Sequence, residues 1–520
     1  MNKKHVLCLV LLFVFSCATF SQVKKKTTIE KAKNERRAPQ KSLNKTYKDS
    51  TDSKEAINMR NLKTPGVYAE ETPNSIPSIV QVNTAIPAFI GYTEKGSNSP
   101  TRIGSMQEYK TKFGGPSSED IREFQIHSDG SITSPNILST PKYRMYYMLE
   151  LFFANGGGDC VITSVGRYDN SIRNKDLLNG LALLKNEDLP TLILFPDIAS
   201  PDNTDDPAEV YKAALAQCAL RKDRFLICDV KESNGNITES VEKFRFSMGT
   251  ENLKYGAAYF PSLQTTLHYQ YSEDKIKVKL MPNNKSWVLR HPEAAIKSDP
   301  NKIETSLYHA EDGNYRAQYH DIKQMINAKH LELPPSAAIA GVYAKTDATN
   351  GVWKAPANVS LNKVTSPTLE IDNNAQTHLN VDNSGKSINA IRSFKGKGVM
   401  VWGARTLAGN DNEWRYVPVT RLGMTIETSV KKALKHFENA PNDFNTWHKV
   451  KAMTTNYLNG LWRSGALNGT KPEEAYYVKV GLGETMTEQD LNSGKMIVEI
   501  GIAPIRPAEF SLIRITQKTH

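Results

Sequence analysis

From about residue 62 onward, short apolar runs bounded by turn residues alternate with stretches in which apolar residues recur at helical spacing. Residues 67–71, after the turn signal Thr64-Pro65-Gly66, predict a short strand, and residues 79–92, rich in Val, Ile, Ala and Phe, a buried strand pair. Residues 104–113 predict a short helix. Residues 141–154 (PKYRMYYMLELFFA) predict a longer one, stopped by Asn155-Gly156-Gly157-Gly158. The pattern then alternates: strand 160–165, helix 176–184, strand 191–195, helix 208–219, strand 225–230, helix 241–247, strand 257–259. Strands alternating with helices predict an α/β layer with a mainly parallel sheet. Residues 265–310 are polar and lysine-rich and predict an exposed excursion. Beyond it, a helix follows Pro334-Pro335, strands fill 388–402, and two long helices occupy 418–437 and 443–462. In the second, Phe444, Trp447, Val450, Leu458 and Leu461 share roughly one face, the expected core face. Strands at 496–502 and 510–516 close the chain.

At 520 residues the chain is too long for one core, and two or three domains are expected. Its net charge of +11 would suggest nucleic acid as a partner, but the distribution argues otherwise. Residues 1–58 hold 13 Lys+Arg against 5 Asp+Glu, which leaves the remaining 462 residues with a balance of only +3. The basic excess belongs to the N-terminal tail. Three cysteines, Cys160, Cys218 and Cys228, stand in the main body with no CxxC pair, so buried free thiols are expected rather than a disulfide framework or a zinc site.

The N-terminus leaves alternatives open. Asn2-Lys3-Lys4, an apolar run over 6–15 and the small and polar residues 16–22 have the form of a secretory signal, cleaved after Ser21. Val14-Phe15-Ser16-Cys17 approximates a lipobox, which would make Cys17 a lipidated terminus. Residues 23–58 read as a flexible basic linker. Translation from Met59 would remove both segments.

The motifs of catalysis are not met. Gly156-Gly157-Gly158 lacks the Lys-Ser/Thr of a phosphate loop, no HExxH or GxSxG is present, and His309, His320 and His330 are too dispersed to be called ligands. The acidic pair Asp205-Asp206 is expected to open a helix. The chain reads as a non-enzyme with no cofactor and no metal.

A series of short segments, in order, resembles the contractile phage tail sheath family, which includes tailocin and extracellular contractile injection system sheaths. They are residues 62–71 (LKTPGVYAEE), 85–93 (AIPAFIGYT), 153–165 (FANGGGDCVITSV), 194–197 (LFPD), 221–230 (RKDRFLICDV) and 257–261 (AAYFP). The later half adds 333–342 (LPPSAAIAGV), Thr346-Asp347, 351–358 (GVWKAPAN), 388–392 (INAIR), 401–407 (VWGARTL), 414–417 (WRYV), Arg421, Glu427, 461–467 (LWRSGAL), 473–478 (EEAYYV) and 503–510 (APIRPAEF). Each alone is weak; together they cover about 450 residues.

The resemblance implies a multidomain α/β sheath fold. An α/β domain of subtilisin-like topology would span 59–385, and a C-terminal α+β sheath domain with a terminal strand arm would span 386–520. It implies a structural subunit that polymerises helically on itself, surrounds an inner tube protein, meets baseplate and terminator proteins, and contracts. Nucleic acid is not among the implied partners, and a membrane enters only as the target or through a lipidated N-terminus. Exchange of terminal strands between subunits is implied for Val67, Tyr68, Ala69 and Glu70 at one end and Leu512, Ile513, Arg514 and Ile515 at the other. Lys451 and Arg463, on and just past the polar face of the 443–462 helix, are the expected contacts to an acidic patch on the tube. Assembly would be cytoplasmic, in a phage-tail-like particle. The signal-like start departs from the family and leaves an exported surface lipoprotein or adhesin as the second reading. A subtilisin-like hydrolase is the third.

Overall fold

The run PAFIGY is buried along its whole length, as a strand covered on both faces must be. In this computed structural model the described residues are 78–117, 123–127, 129–133, 140–280, 303–307 and 316–507. That first strand, β1 (Pro87–Tyr92), is joined by β2 (Thr101–Ile103), β3 (Cys160–Gly166), β4 (Leu192–Leu194), β5 (Phe225–Asp229), β6 (Gly256–Phe260), β7 (Val359–Ser360), β8 (Ile388–Phe394) and β9 (Gly398–Trp402). They form one nine-stranded sheet in the order β7-β9-β8-β6-β5-β4-β1-β3-β2. The inner run from β8 to β3 is parallel throughout, and antiparallel strands finish both edges.

Helices provide the crossovers that parallel pairing requires. These are α1 (Met145–Ala154), α2 (Asn174–Leu183), α3 (Pro207–Arg221), α4 (Ile237–Ser247) and α5 (Ser336–Asn350). α1 packs on α5, and α2 on α3. Their ends follow from local chemistry. The Asp206 carboxylate caps α3 by accepting from Ala208 N, with Pro207 at the first helical position. α1 stops at Asn155, after which Gly156 takes φ +100° and the chain doubles back so tightly that a Cβ on Gly157 would lie 2.5 Å from the Phe152 ring. Cys160, Cys218 and Cys228 are free and buried.

A second unit has its own core. α6 (Val417–Leu434) and α7 (Phe444–Arg463) pack Leu422, Ile426, Val430, Val450, Met453, Leu458 and Leu461 against the hairpin β10 (Tyr476–Lys479) and β11 (Glu499–Ile502). α6 is buried nearly all round because it serves both cores: Val417 and Met424 face the sheet body, while Leu422, Ile426 and Val430 face the second unit.

Several expectations change. Residues 79–86 do not pair as a strand; only 87–92 enters the sheet, and the preceding segment is held by side chains instead. The expected division at 385/386 falls inside the sheet body, because β8 pairs in parallel with β6. The excursion expected at 265–310 is largely sheet where it is described. Leu263–His268 forms a three-stranded sheet with His330–Leu333 and Val364–Pro367. Lys277–Leu280 and Ile303–Ser306 join Glu123–Ile126 and Ile132–Thr133 in a four-stranded one. Alternation hid this: Ile276, Val278 and Leu307 are buried between polar neighbours. Helix Arg316–Asn327 was not expected at all. Phe444, placed on the core face of α7 by its spacing, is 72% exposed, although Thr446 in the same turn is buried and Trp447 packs on the second core.

Candidate assembly surfaces

The end of the parallel sheet where α/β enzymes hold their chemistry, beyond the carboxyl ends of the strands, is closed here by two buried aspartates. Asp197 follows β4 and accepts from Tyr92 N at 2.8 Å and Arg144 N at 2.7 Å, tying β1 to the start of α1. Asp229 ends β5 and accepts from Ser336 N at 2.8 Å and Ser336 Oγ at 2.6 Å, tying β5 to the start of α5. Ser336 is sealed, and its hydroxyl donates to a carboxylate rather than to an imidazole. That arrangement caps a helix and offers no activated nucleophile.

Burial pushes the Asp197 carboxyl up to about 6 and the Asp229 carboxyl up to about 7. An unfolded aspartate titrates near ~3.9, so between those values the folded chain holds protons that the unfolded chain has released. The stability these groups contribute is fully present below about pH 4 and is lost as pH rises through about 6 and 7. The sheet body is therefore expected to resist urea better at pH 5.5 than at pH 7.5. Asp229→Asn should flatten that difference; an unchanged pH dependence in the variant would contradict the assignment.

The residues expected to exchange strands, Val67, Tyr68, Ala69 and Glu70, and Leu512, Ile513, Arg514 and Ile515, lie outside the described residues. Their points of departure are described, and both lie on the second unit. At the C-terminal end, Ala503 N donates to Ala475 O at 2.8 Å, Asn468 N to Ala503 O at 2.7 Å and Ile505 N to Ala466 O at 3.3 Å, so β11 continues into a backbone ladder. At the N-terminal end, Ile79 packs on the second core and Val82 N donates to Ser429 Oγ of α6 at 3.1 Å. Among the described residues the β10–β11 sheet has two strands, with no third strand on either side.

Lys451 and Arg463 are both exposed on α7 but are not brought together. They are twelve residues apart, which places them ~18 Å apart along the axis and ~120° apart around it. Lys451 Nζ stands 3.9 Å from Glu484 Oε2, a loose solvent-exposed pair. The wider surface is more telling than either residue. The 20 residues of α7 include no Asp or Glu, and its exposed side adds Phe444, His448 and Lys449 to the two cations.

A third feature had no expected role. Arg421, inside α6, donates Nη1 to Asp347 Oδ1 of α5 at 3.0 Å and Nη2 to Asp347 Oδ2 and to Thr84 O, the last at 2.9 Å. Thr84 Oγ1 donates to the same carboxylate, and the guanidinium lies 4.6 Å from the Tyr343 ring centroid. The Arg421 and Asp347 side chains are only 3% and 6% exposed. The signal was an arginine in an otherwise apolar helical stretch (VPVTRLGMTI); its partner 74 residues away was not legible.

Residues 207–407 match the phage tail sheath protein central domain, and residues 409–518 match the phage tail sheath C-terminal domain. The boundary between them falls just before α6, where the second core begins. The chain belongs to the phage tail sheath family, a family of structural proteins. It is 31% identical to the helical sheath of the anti-feeding prophage in its contracted state, covering 88% of this chain and 100% of that one with a TM-score of 0.58. It is 28% identical to the sheath of an extracellular contractile injection system, PVC, also contracted, covering 88% and 98% with a TM-score of 0.60. It is 20% identical over 360 residues to the tail sheath protein of Enterobacteria phage T4, 68% of this chain and 50% of that protein. The chain spans half or less of the length of the curated relatives it matches. Among the described residues, no helix is long and apolar enough to cross a membrane.

Proposed function

We propose that this protein is the repeating subunit of a contractile sheath that polymerises helically, surrounds an inner tube, attaches to a baseplate, and shortens to drive the tube through a target envelope. Likeness along nearly the whole length of two contractile-system sheaths carries the reading. The subunit acts by repacking and performs no catalysis. An open helical polymer needs heterologous contacts that do not close. Strand addition supplies them through backbone hydrogen bonds and lets subunits turn without separating. The two-stranded β10–β11 sheet supports this: so small a sheet is marginal alone and offers both of its sides to further strands. The donors are the arms carrying residues 67–70 and 512–515.

The extended sheath is then a trapped state, released by rigid-body repacking of subunits. An extra ~200 Å² of apolar surface buried per subunit would yield roughly 5 kcal/mol, multiplied along the sheath, with no nucleotide consumed. Assembly takes place in the cytoplasm. The rival reading, a surface protein lipidated at Cys17, rests on residues 1–58 alone, and mass spectrometry of the native N-terminus separates the two.

The cations of α7, a helix with no Asp or Glu of its own, favour an acidic partner, here the tube, with Lys451 and Arg463 as contacts. Lys451→Glu combined with Arg463→Glu is expected to leave sheath polymers intact while weakening tube retention at least tenfold and flattening or inverting its salt dependence. Tube retention equal to wild type would remove these residues from the interface.

A further inference from the structure

Residues 79–84 cross from the second unit to the sheet body as an unpaired extended segment. Ile79, Val82 and Thr84 are partly buried, and Val80, Gln81 and Asn83 are exposed. Val80 is 79% exposed. No backbone ladder holds 79–84 among the described residues; its first sheet bonds come at Ile86, whose carbonyl accepts from Thr191 N at 2.8 Å. The anchors before that are Ile79 on the second core, Val82 N on Ser429 Oγ, and Thr84 on the Arg421–Asp347 pair. These anchors sit on both units of the fold: α5 of the sheet body, and α6 with the second core that it helps to form. The opposite end of the chain is held differently, by main-chain bonds that continue the β10–β11 ladder.

We propose that residues 79–84 form a strap seated on Arg421, Asp347 and Ser429, and that this seat aims the N-terminal arm toward the neighbouring subunit. Arg421, Asp347, Thr84 and Ser429 are positioning residues for strand exchange. The inference rests on the reading that the N-terminal arm is donated to a neighbour. Physically, a freely pivoting arm must be ordered each time it is captured, whereas a seated arm leaves the subunit in one direction. Thr84 is the sensitive point because its hydroxyl and carbonyl engage both members of a buried ion pair, where a hydrogen bond to charge is strong. Because the N-terminal exit is fixed by side chains and the C-terminal exit by a ladder, the N-terminal arm is the one that can be unseated without unzipping a sheet.

The test uses Thr84→Val and Ser429→Ala, which remove strap anchors and leave the Arg421–Asp347 pair in place. In the full-length chain each is expected to keep the monomer's melting temperature close to wild type. Each should also raise the critical concentration for sedimentable sheath about tenfold, the change associated with losing one such hydrogen bond. Spin labels at Val80→Cys and Asn445→Cys, with Cys8 and Cys17 replaced by serine, report the seat directly. One narrow distance is expected with Thr84 in place and a broad distribution with Thr84→Val; Thr84→Ser should restore the narrow one. A Thr84→Val subunit with unchanged critical concentration and a narrow distance would overturn the proposal. Deleting residues 1–77 separates the two levels. If the deletion stops assembly while Thr84→Val does not, strand exchange stands and the strap's aiming role fails. If the deletion leaves assembly unchanged, both fail.

Discussion

Proline at both Ile513 and Ile515 is expected to yield a folded subunit that no longer polymerises. Proline cannot donate to a ladder and is excluded from the interior of a paired strand, so two prolines within residues 512–515 would remove the donor strand proposed there without touching the described fold. The described body should be unaffected: the second core is closed by residues up to Ile502, and the last described ladder bond is made by Ile505. Circular dichroism and melting temperature are expected to match wild type, and sedimentation should show monomer at concentrations where wild type pellets as sheath. Polymers of normal length and amount from the double proline variant would show that the C-terminal arm is not the linking strand.

Arg421→Ala is expected to be strongly destabilising. It strips a buried carboxylate of its counter-ion, leaves the Thr84 carbonyl without a donor and removes a cation from the Tyr343 face. Breaking one member of a buried pair costs roughly 3–5 kcal/mol, whereas replacing both with apolar residues of similar volume is often neutral. Urea unfolding should therefore rank Arg421→Ala and Asp347→Ala far below wild type, and the double variant Arg421→Met with Asp347→Leu well above either. The double variant also separates stability from assembly: it should fold well and polymerise poorly, because it removes the strap's seat along with the charge. Equal stability of the three variants would mean that the pair is solvated rather than buried.

Much of the body was legible because its code is local. The parallel strands are short apolar runs, and the helix stop at Asn155-Gly156 and the helix start at Asp205-Asp206 are chemical signals readable from a few residues. What was not legible depends on distant partners. Residues 79–86 have strand composition, yet only Pro87 onward finds neighbours, since Val82 and Thr84 are claimed by α6 and α5. Residues 388–402 looked like the start of a new domain because a long polar stretch precedes them, but β8 completes the parallel sheet begun 300 residues earlier. Phe444 obeyed the helical spacing and still faces solvent, because periodicity gives a direction and not whether anything lies there. Of the residues expected to contact the tube, Lys451 and Arg463 are exposed but well separated, and the absence of Asp and Glu from the 20 residues of α7 is a property of composition that single-residue reading passes over.

The central claim, that this chain builds a contractile sheath, is tested most directly by negative-stain electron microscopy of the protein pelleted from its native cells. Striated tubes in two forms, one long and narrow and one short and wide, are the predicted result. Abundant protein recovered only as monomers in the envelope fraction would contradict it and favour the lipidated surface protein.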